Sequence, residues 1–416
     1  MQHKESPQPA SVYYGWWMVA AGFVTASIAW SLGLFGASVY LHAVSEARGW
    51  PIGLISTAIT CFYLVSAFAS PFIGTAMDRL GPRAVVRVGA LCLGLGVASI
   101  GLIDRPWQIY FSFITLGLGW ASLSSTAIST LLAPWFEKHQ GRAISTALMG
   151  ASMGGILGVP LLVLGIELLG LVRATFAAAA LCLSVLLPLS FLLRRRPQEM
   201  GLLPDGASAV GPRGATEERS WTRAEATKAW RFRSIVLAFG IAFLVQVGFL
   251  THHVTYMAPH LGSGGASAVV AATAVAAFLG RIALARYVDS LNPRALACAV
   301  LGVGATGLAV LSIAQSPILI IAASLTYGLT VGNVTTLPSI IVRREFGSTS
   351  FGAVYGLAAM AIGLCTAMGP SFYGTLYELF GGYAVPMILA AALNACAAAI
   401  IGLGQADAPT TRSTLP

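Results

Sequence analysis

The sequence predicts an all-α membrane protein, with twelve transmembrane helices arranged as two six-helix, pseudo-symmetric halves. Three observations carry that prediction. Of 416 residues, 56% are hydrophobic and 9% charged, whereas a soluble domain carries about 25% charged residues, so a soluble fold is excluded. Twelve apolar runs are each long enough to cross a bilayer, which takes ~20 residues of helix. The two halves of the chain also repeat one another at a single spacing.

Taken in order, a polar tail (1–12) precedes the N-terminal six-helix half (13–193). Its spans are 13–41, which opens on Tyr13-Tyr-Gly-Trp-Trp17, 51–77, 84–103, 107–134, 142–168 and 171–193. A polar interval (194–233) follows, starting with Arg194-Arg195-Arg196. Within it the stretch from Ser220 to Arg233 reads as a short amphipathic helix, its Trp221, Trp230 and Phe232 interleaved with Arg and Lys; an interfacial segment on the inner leaflet and a solvated linker both fit. The C-terminal half (234–404) carries spans 234–260, 266–287, 295–314, 317–341, 351–377 and 382–404, and a tail (405–416) ends the chain.

The repeat is read from three anchors. Gly74-xxx-Asp78-Arg79-Leu80-Gly81-Pro82-Arg83 follows the second span, and Ala285-xxx-Asp289-Ser290-Leu291-Asn292-Pro293-Arg294 follows the eighth, an offset of 211 residues. The same offset maps Thr115-Leu-Gly117-Leu118 onto Thr326-Tyr-Gly328-Leu329, and Gly141 onto Gly352. One spacing at three places indicates a duplicated unit, a parallel repeat about an axis along the membrane normal, as rocking carriers use.

The net charge of +9 is orientation information. With the N-terminus inside, 20 of the 24 Lys and Arg fall on the inner side, Arg48, Arg105 and Arg173 lie outside, and Arg281 lies within the membrane. This positive-inside asymmetry gives an N-in, C-in, multi-pass topology, and no nucleic-acid partner is expected. The six cysteines lie inside spans without CxxC spacing, so neither disulfides nor a metal is expected. No cleavable signal is apparent, because the first apolar run is too long for one.

The residue that breaks the pattern is Arg281, inside the apolar stretch from Ala266 to Tyr287. A guanidinium in hydrocarbon costs roughly 2.5–3.5 kcal/mol even on lenient scales and marks a functional site by default. It keeps its charge, and its planar fork fits a carboxylate. An anion-binding role is therefore expected, against a structural Arg paired with helix carbonyls. His252 and His253 lie near the outer end of the seventh span and are the proton carriers of ordinary pKa in this membrane region. Counted from the inner helix ends, His252 sits further out than Arg281, which suits an external gate as well as proton coupling. Gln246 and Asn333 are further polar candidates inside spans.

These residues resemble the major facilitator superfamily, with Gly74 to Arg83 similar to its signature loop between the second and third helices. More narrowly they resemble the monocarboxylate transporter and oxalate:formate antiporter branch, through Tyr13 to Trp17, Gly49-Trp50, the loop from Trp135 to Ala143, and Arg196 to Gly206. The resemblance implies alternating access and a small organic anion such as lactate or pyruvate as substrate. It places the branch's substrate-binding arginine at Arg281, and the cavity-lining fourth and tenth helices at Trp120 and Tyr327. Asp78, Arg79, Arg83, Asp289 and Arg294 lie at the inner helix ends, where a gating role is expected, the acids pairing with Arg in the outward-facing state and separating as the halves rock; for the arginines, anchoring at the headgroup level also fits. Two departures bear on substrate. The eleventh span has no Lys or Arg, where members that bind oxalate carry a second cation; and Ala277 stands where the animal carriers have an acid one turn before the arginine.

Other motif matches reduce to packing. Gly150-Ala-Ser152-Met-Gly154 fits the GxSxG nucleophile pattern but lies inside an apolar helix, where Gly150, Gly154 and Gly158 read as a close-approach stripe. Gly302-Val-Gly304-Ala-Thr-Gly307 fits a dinucleotide fingerprint without a strand before it. The expectation is thus a non-enzymatic secondary carrier of a monocarboxylate, proton-coupled through the His pair or the substrate's own carboxyl. It is expected to act without a cofactor, as a monomer in the lipid bilayer of a bacterial cytoplasmic membrane. An anion antiporter of the oxalate:formate type, a non-transporting receptor on the same fold and a multidrug exporter are the alternatives.

Overall fold

A computed structural model describes residues 13–136, 139–206, 221–287, 291–347 and 351–404. The helices are α1 (Tyr14–Leu32), α2 (Gly36–Arg48), α3 (Ile52–Leu80), α4 (Pro82–Gly101), α5 (Pro106–Leu123), α6 (Ser125–Leu132), α7 (Gln140–Met153), α8 (Val159–Leu192), α9 (Arg223–Lys228), α10 (Trp230–Tyr287), α11 (Pro293–Ile313), α12 (Pro317–Phe346), α13 (Phe351–Ala367), α14 (Gly369–Phe380) and α15 (Ala384–Leu403). A π-turn, Gly154–Gly158, joins α7 to α8.

Ten helical stretches among the described residues are long and apolar enough to cross a bilayer, but two of them run 52 and 55 residues. At 1.5 Å per residue these would be more than twice the ~30 Å hydrocarbon thickness, so each must turn back. Each does so at a glycine in the left-handed region, Gly170 in α8 and Gly262 in α10 (φ 77° and 70°). Counting both arms, the described residues supply twelve stretches of spanning length, as the hydropathy predicts.

Helix starts follow local rules. Proline opens α4, α5, α11 and α12, where its missing N–H is no loss. Asn292 of the repeated loop caps α11, its side chain accepting from the Arg294 amide at 2.9 Å. Three crossings are broken in mid-membrane: α1 passes to α2 across Gly33, α5 to α6 at Ser124, and α13 to α14 at Met368.

The halves pack alike. In the first, α4 and α3 both pack on α5, α4 on α8 and α1 on α7; in the second, α10 and α11 pack on α12, α11 on α15 and α10 on α13. Glycines at matching positions set the crossings. A Cβ at Gly117 would lie 2.6 Å from the Phe62 carbonyl, and one at Gly328 would lie 2.9 Å from that of Thr273. One at Gly96 would meet Leu116, and one at Gly307 would meet Tyr327. Each member of these pairs is related by the offset of 211 residues seen in the sequence, as are the turn glycines Gly170 and Gly381. Large apolar side chains such as Leu95, Leu168, Phe191 and Ile313 remain exposed on the outer helices, which in a chain this apolar is the lipid-facing surface.

One end of the bundle carries the arginine-rich helix ends (Arg79, Arg83, Arg194, Arg294, Arg343) and is termed the basic end. The turns at Gly49, Leu102, Gly170, Gly262 and Gly381 form the far end. The amphipathic linker helix α9 is capped by Thr222 and Glu225. It docks on the second half, Trp221 meeting Phe346 edge-on at 5.2 Å.

Candidate functional site

Arg281 lies on the second arm of α10 where that arm crosses α12. Gly280 abuts the Leu329 carbonyl, and a Cβ at Gly332 would come within 2.5 Å of the Arg281 Cγ. The two glycines bring the helices into backbone contact and lay the arginine along α12. Its Nε donates to the Gly332 carbonyl at 3.4 Å, its Nη2 to Thr335 Oγ1 at 3.5 Å, and its Nη1 crosses to the other half, to Ser152 Oγ at 3.3 Å. All three acceptors are neutral, and all three bonds are longer than the ~2.7–2.9 Å of a charge-assisted pair. No carboxylate pairs with Arg281 among the described residues. Ala277, one turn earlier, is buried.

Towards the far end, α3 and α14 are joined across the halves by a row of polar contacts. Glu378 Oε1 accepts from the Gly53 amide at 3.1 Å. Thr60 Oγ1 lies 2.7 Å from Ser371 Oγ and accepts from the Ser371 amide at 3.1 Å. Between them sits His252, fully buried. The Ser56 hydroxyl donates to its own helix at the Ile52 carbonyl, so the His252 Nε2 proton is shared between Ser56 Oγ and the Pro370 carbonyl, both at 3.1 Å. Nδ1 then accepts from the Tyr383 hydroxyl at 2.9 Å. Every ring nitrogen is satisfied by the neutral imidazole. His253 is equally buried but points within its own half: Nε2 meets Ser324 Oγ at 2.7 Å and the ring lies tilted against Phe249, centroids 4.6 Å apart.

The aromatic candidates are packed within their halves. Trp120 lies against Trp30 at 4.6 Å and Phe62 at 5.9 Å, and Tyr327 against Phe249 at 4.7 Å. Neither hydrogen-bonds to Arg281 among the described residues. Gln246 is buried with its Oε1 unpartnered, and Asn333 donates to the Leu329 carbonyl at 3.1 Å.

At the basic end, Arg294 is buried inside its own half. Glu345 binds it through two oxygens at 2.6 and 2.9 Å, and it donates further to Ser234 and to the carbonyls of Ile401 and Arg231. Arg83 donates to the Leu193 carbonyl at 2.8 Å. Both arginines are thus tied within a half, and neither makes a described contact between halves. Arg79 is exposed, the side chain of Asp78 lies outside what the structure describes, and Asp289 lies outside the described residues. The motifs that resembled a family branch meet here. The Tyr13 hydroxyl and the Asp205 amide both donate to the Trp135 carbonyl, at 2.9 and 3.0 Å, and Asp205 accepts from His139 Nδ1 at 3.1 Å.

Among the described residues, the hydrogen bonds between halves run from Gly53 at the far end to Ser152–Arg281, and none is found nearer the basic end. The far end is zipped by hydrogen bonds down to the depth of Arg281. Sequence reasoning found Arg281 and His252 but missed their cross-half partners Ser152, Ser56 and Glu378, which carry no signal beyond a polar residue within or beside an apolar run.

Comparison with known proteins adds three findings. Residues 19–370 match the family model described as Major Facilitator Superfamily. "Monocarboxylate transporter 13" of Bos taurus is 23% identical over 394 residues, covering 92% of this chain and 88% of its own, and the Rattus norvegicus protein of that name is 24% identical over 412 residues, covering 94% and 89%. Among solved structures, the nucleoside transporter NupG superposes with a TM-score of 0.73 at 12% identity, over 94% of this chain and 99% of its own. A bacterial homolog of the human lysosomal transporter Spinster, inward-facing and unoccupied, superposes with 0.72 at 13%, over 95% and 98%.

Proposed function

The chain belongs to the Major Facilitator Superfamily, and from that premise we propose that it carries a small monocarboxylate across a bacterial cytoplasmic membrane by alternating access. The observation that carries the reading is the Arg281 guanidinium: within a membrane span, facing the other half, and held by three long bonds to neutral acceptors. A buried guanidinium seeks an anion, and a planar carboxylate fits its fork. The low-identity likeness to two proteins named monocarboxylate transporter 13 supports the same class.

The basic end is assigned to the cytoplasm, with both termini inside. The zipped far end then faces outward, so the carrier is closed to the outside. The anion enters beside Arg281, the halves rock, and the contacts between α3 and α14 exchange for contacts at the basic end. His252, sitting in the zipper, is assigned to the outer gate and to proton coupling. Direct contact with the substrate is assigned to Arg281, with Trp120 and Tyr327 as the walls behind it. Uptake of radiolabelled lactate, pyruvate and oxalate into proteoliposomes tests the reading. Saturable, lactate-inhibitable uptake is expected, and uptake that ignores every carboxylate in the panel would refute it.

A further inference from the structure

The GxSxG pattern of the fifth crossing contains a residue that packing does not use. Gly150 and Gly154 press on α1, a Cβ at either meeting Phe23 or the backbone of Ser27 and Ser31. Ser152 is two residues from each, so it lies on the opposite side of the helix, turned to the other half. The π-turn begins two residues later. It brings Gly155 against α10 as well, where a Cβ would lie 2.7 Å from that of Ala274. The last turn of α7 and the π-turn after it therefore meet the arm of α10 that carries Arg281.

The hydroxyl of Ser152 also behaves differently from its neighbours. Serines in apolar helices commonly donate back to a carbonyl of their own helix. Ser27 donates to Phe23 at 2.9 Å, Ser31 to Ser27 at 2.7 Å, and Thr335 beside the arginine to Gly332 at 2.6 Å. Ser152 is buried, 6% exposed, and its contact is as an acceptor, from Arg281 Nη1 at 3.3 Å. Its proton is uncommitted among the described residues, at the one depth where the arginine touches the other half. A hydroxyl accepts from a guanidinium and donates to a carboxylate.

We propose that Ser152 is the first half's ligand for the transported carboxylate. Arg281 takes the anion in its fork, the Ser152 hydroxyl donates to a carboxylate oxygen, and the direct bond between halves becomes one bridged by substrate. This rests on the carboxylate reading of the site. It makes affinity, and the coupling of binding to rocking, depend on a residue of each half.

The test uses the full chain in proteoliposomes with radiolabelled lactate, and thermal melting in detergent with and without lactate. Ser152→Ala is expected to raise half-saturating lactate about tenfold, the loss of one hydrogen bond to a charge, and to shrink the rise in melting temperature that lactate produces. Ser152→Thr, which keeps the hydroxyl, is expected to restore affinity. Should the alanine variant fail to fold, Ser152→Cys, a weak donor of similar size, is expected to show the same rise. Unchanged half-saturation in the alanine variant, or equal losses in Ala and Thr, overturns the proposal while leaving the carboxylate reading intact. A wild-type protein that neither transports nor is stabilised by lactate overturns that reading first and this inference with it.

Discussion

Arg281 donates to two hydroxyls and a carbonyl, none closer than 3.3 Å, so its geometry depends on the surface it lies along. Gly332 is that surface. Gly332→Ala places a methyl 2.5 Å from the Arg281 Cγ and 2.6 Å from the Ala277 carbonyl, so it forces α10 and α12 apart and is expected to weaken anion binding several-fold, read as half-saturation of uptake. Arg281→Lys keeps the charge and loses the fork, so transport falls severely; Arg281→Ala abolishes it. Near wild-type affinity in the alanine variant would return the arginine to a structural role. His252 gives a second prediction. Neutral, it satisfies the zipper. A second ring proton would arrive at Nδ1, where Tyr383 now donates, and the groups facing it, Ser56, Pro370, Tyr373 and Tyr383, include no carboxylate. Protonation therefore favours the opened far end. As the pH on that side falls through about 6–7, labelling of Thr60→Cys by an impermeant maleimide is expected to rise together with anion uptake. His252→Gln should flatten both; a profile unchanged in that variant makes the histidine a packing residue.

Elements meet through small residues, and that makes them sensitive to wedges. A Cβ on Gly374 would lie 2.5 Å from the Ser56 side chain, in the centre of the contact between α3 and α14. Gly374→Val is expected to hold the far end open, raising labelling of Thr60→Cys and lowering net transport; labelling as slow as in wild type would mean the zipper tolerates the wedge. The clamp at the basic end behaves otherwise. Glu345 binds Arg294 at 2.6 Å with side-chain exposures of 19% and 3%. Removing one partner of a buried pair leaves an uncompensated charge and costs about 3–5 kcal/mol. Glu345→Gln is therefore expected to lower the melting temperature sharply with little change in half-saturation. An Arg294 that served as a gate between halves would show the reverse. The repeat itself was legible in the sequence because its loop sits at helix ends, where Asn, Pro and Gly have backbone roles. The zipper was not, since Gly53, Ser56 and Thr60 on α3 read as ordinary small residues of an apolar helix.

Across the whole molecule, on the carboxylate reading proposed above, the charge of the site governs how the carrier moves. Loaded with one carboxylate, the guanidinium is neutralised; empty, it has neutral partners only. Carrying an unneutralised charge through the closed intermediate costs more than carrying an ion pair. Exchange of lactate between lactate-loaded vesicles and medium is therefore expected to be faster than net uptake into empty ones; equal rates would show that the empty carrier is neutralised another way. A second carboxylate finds no second cation, because the described part of α13 and α14 holds neither Lys nor Arg. Lactate and pyruvate are accordingly expected to compete better than oxalate.

By itself the sequence determined that the chain lives in a bilayer, how often it crosses and that its halves are copies. Those properties follow from local quantities: apolar length against bilayer thickness, and helix-end residues recurring at one offset. It also exposed Arg281, because one guanidinium in hydrocarbon is conspicuous without any knowledge of its neighbours. What only the tertiary structure decided is who meets whom. Ser152 lies 129 positions from Arg281, and Ser56 lies 196 from His252. Nothing local distinguishes a serine that faces the other half from one that faces lipid. That choice is made when the glycine crossings set the helix angles, and the π-turn at Gly154–Gly158 fixes which face of its helix meets α10.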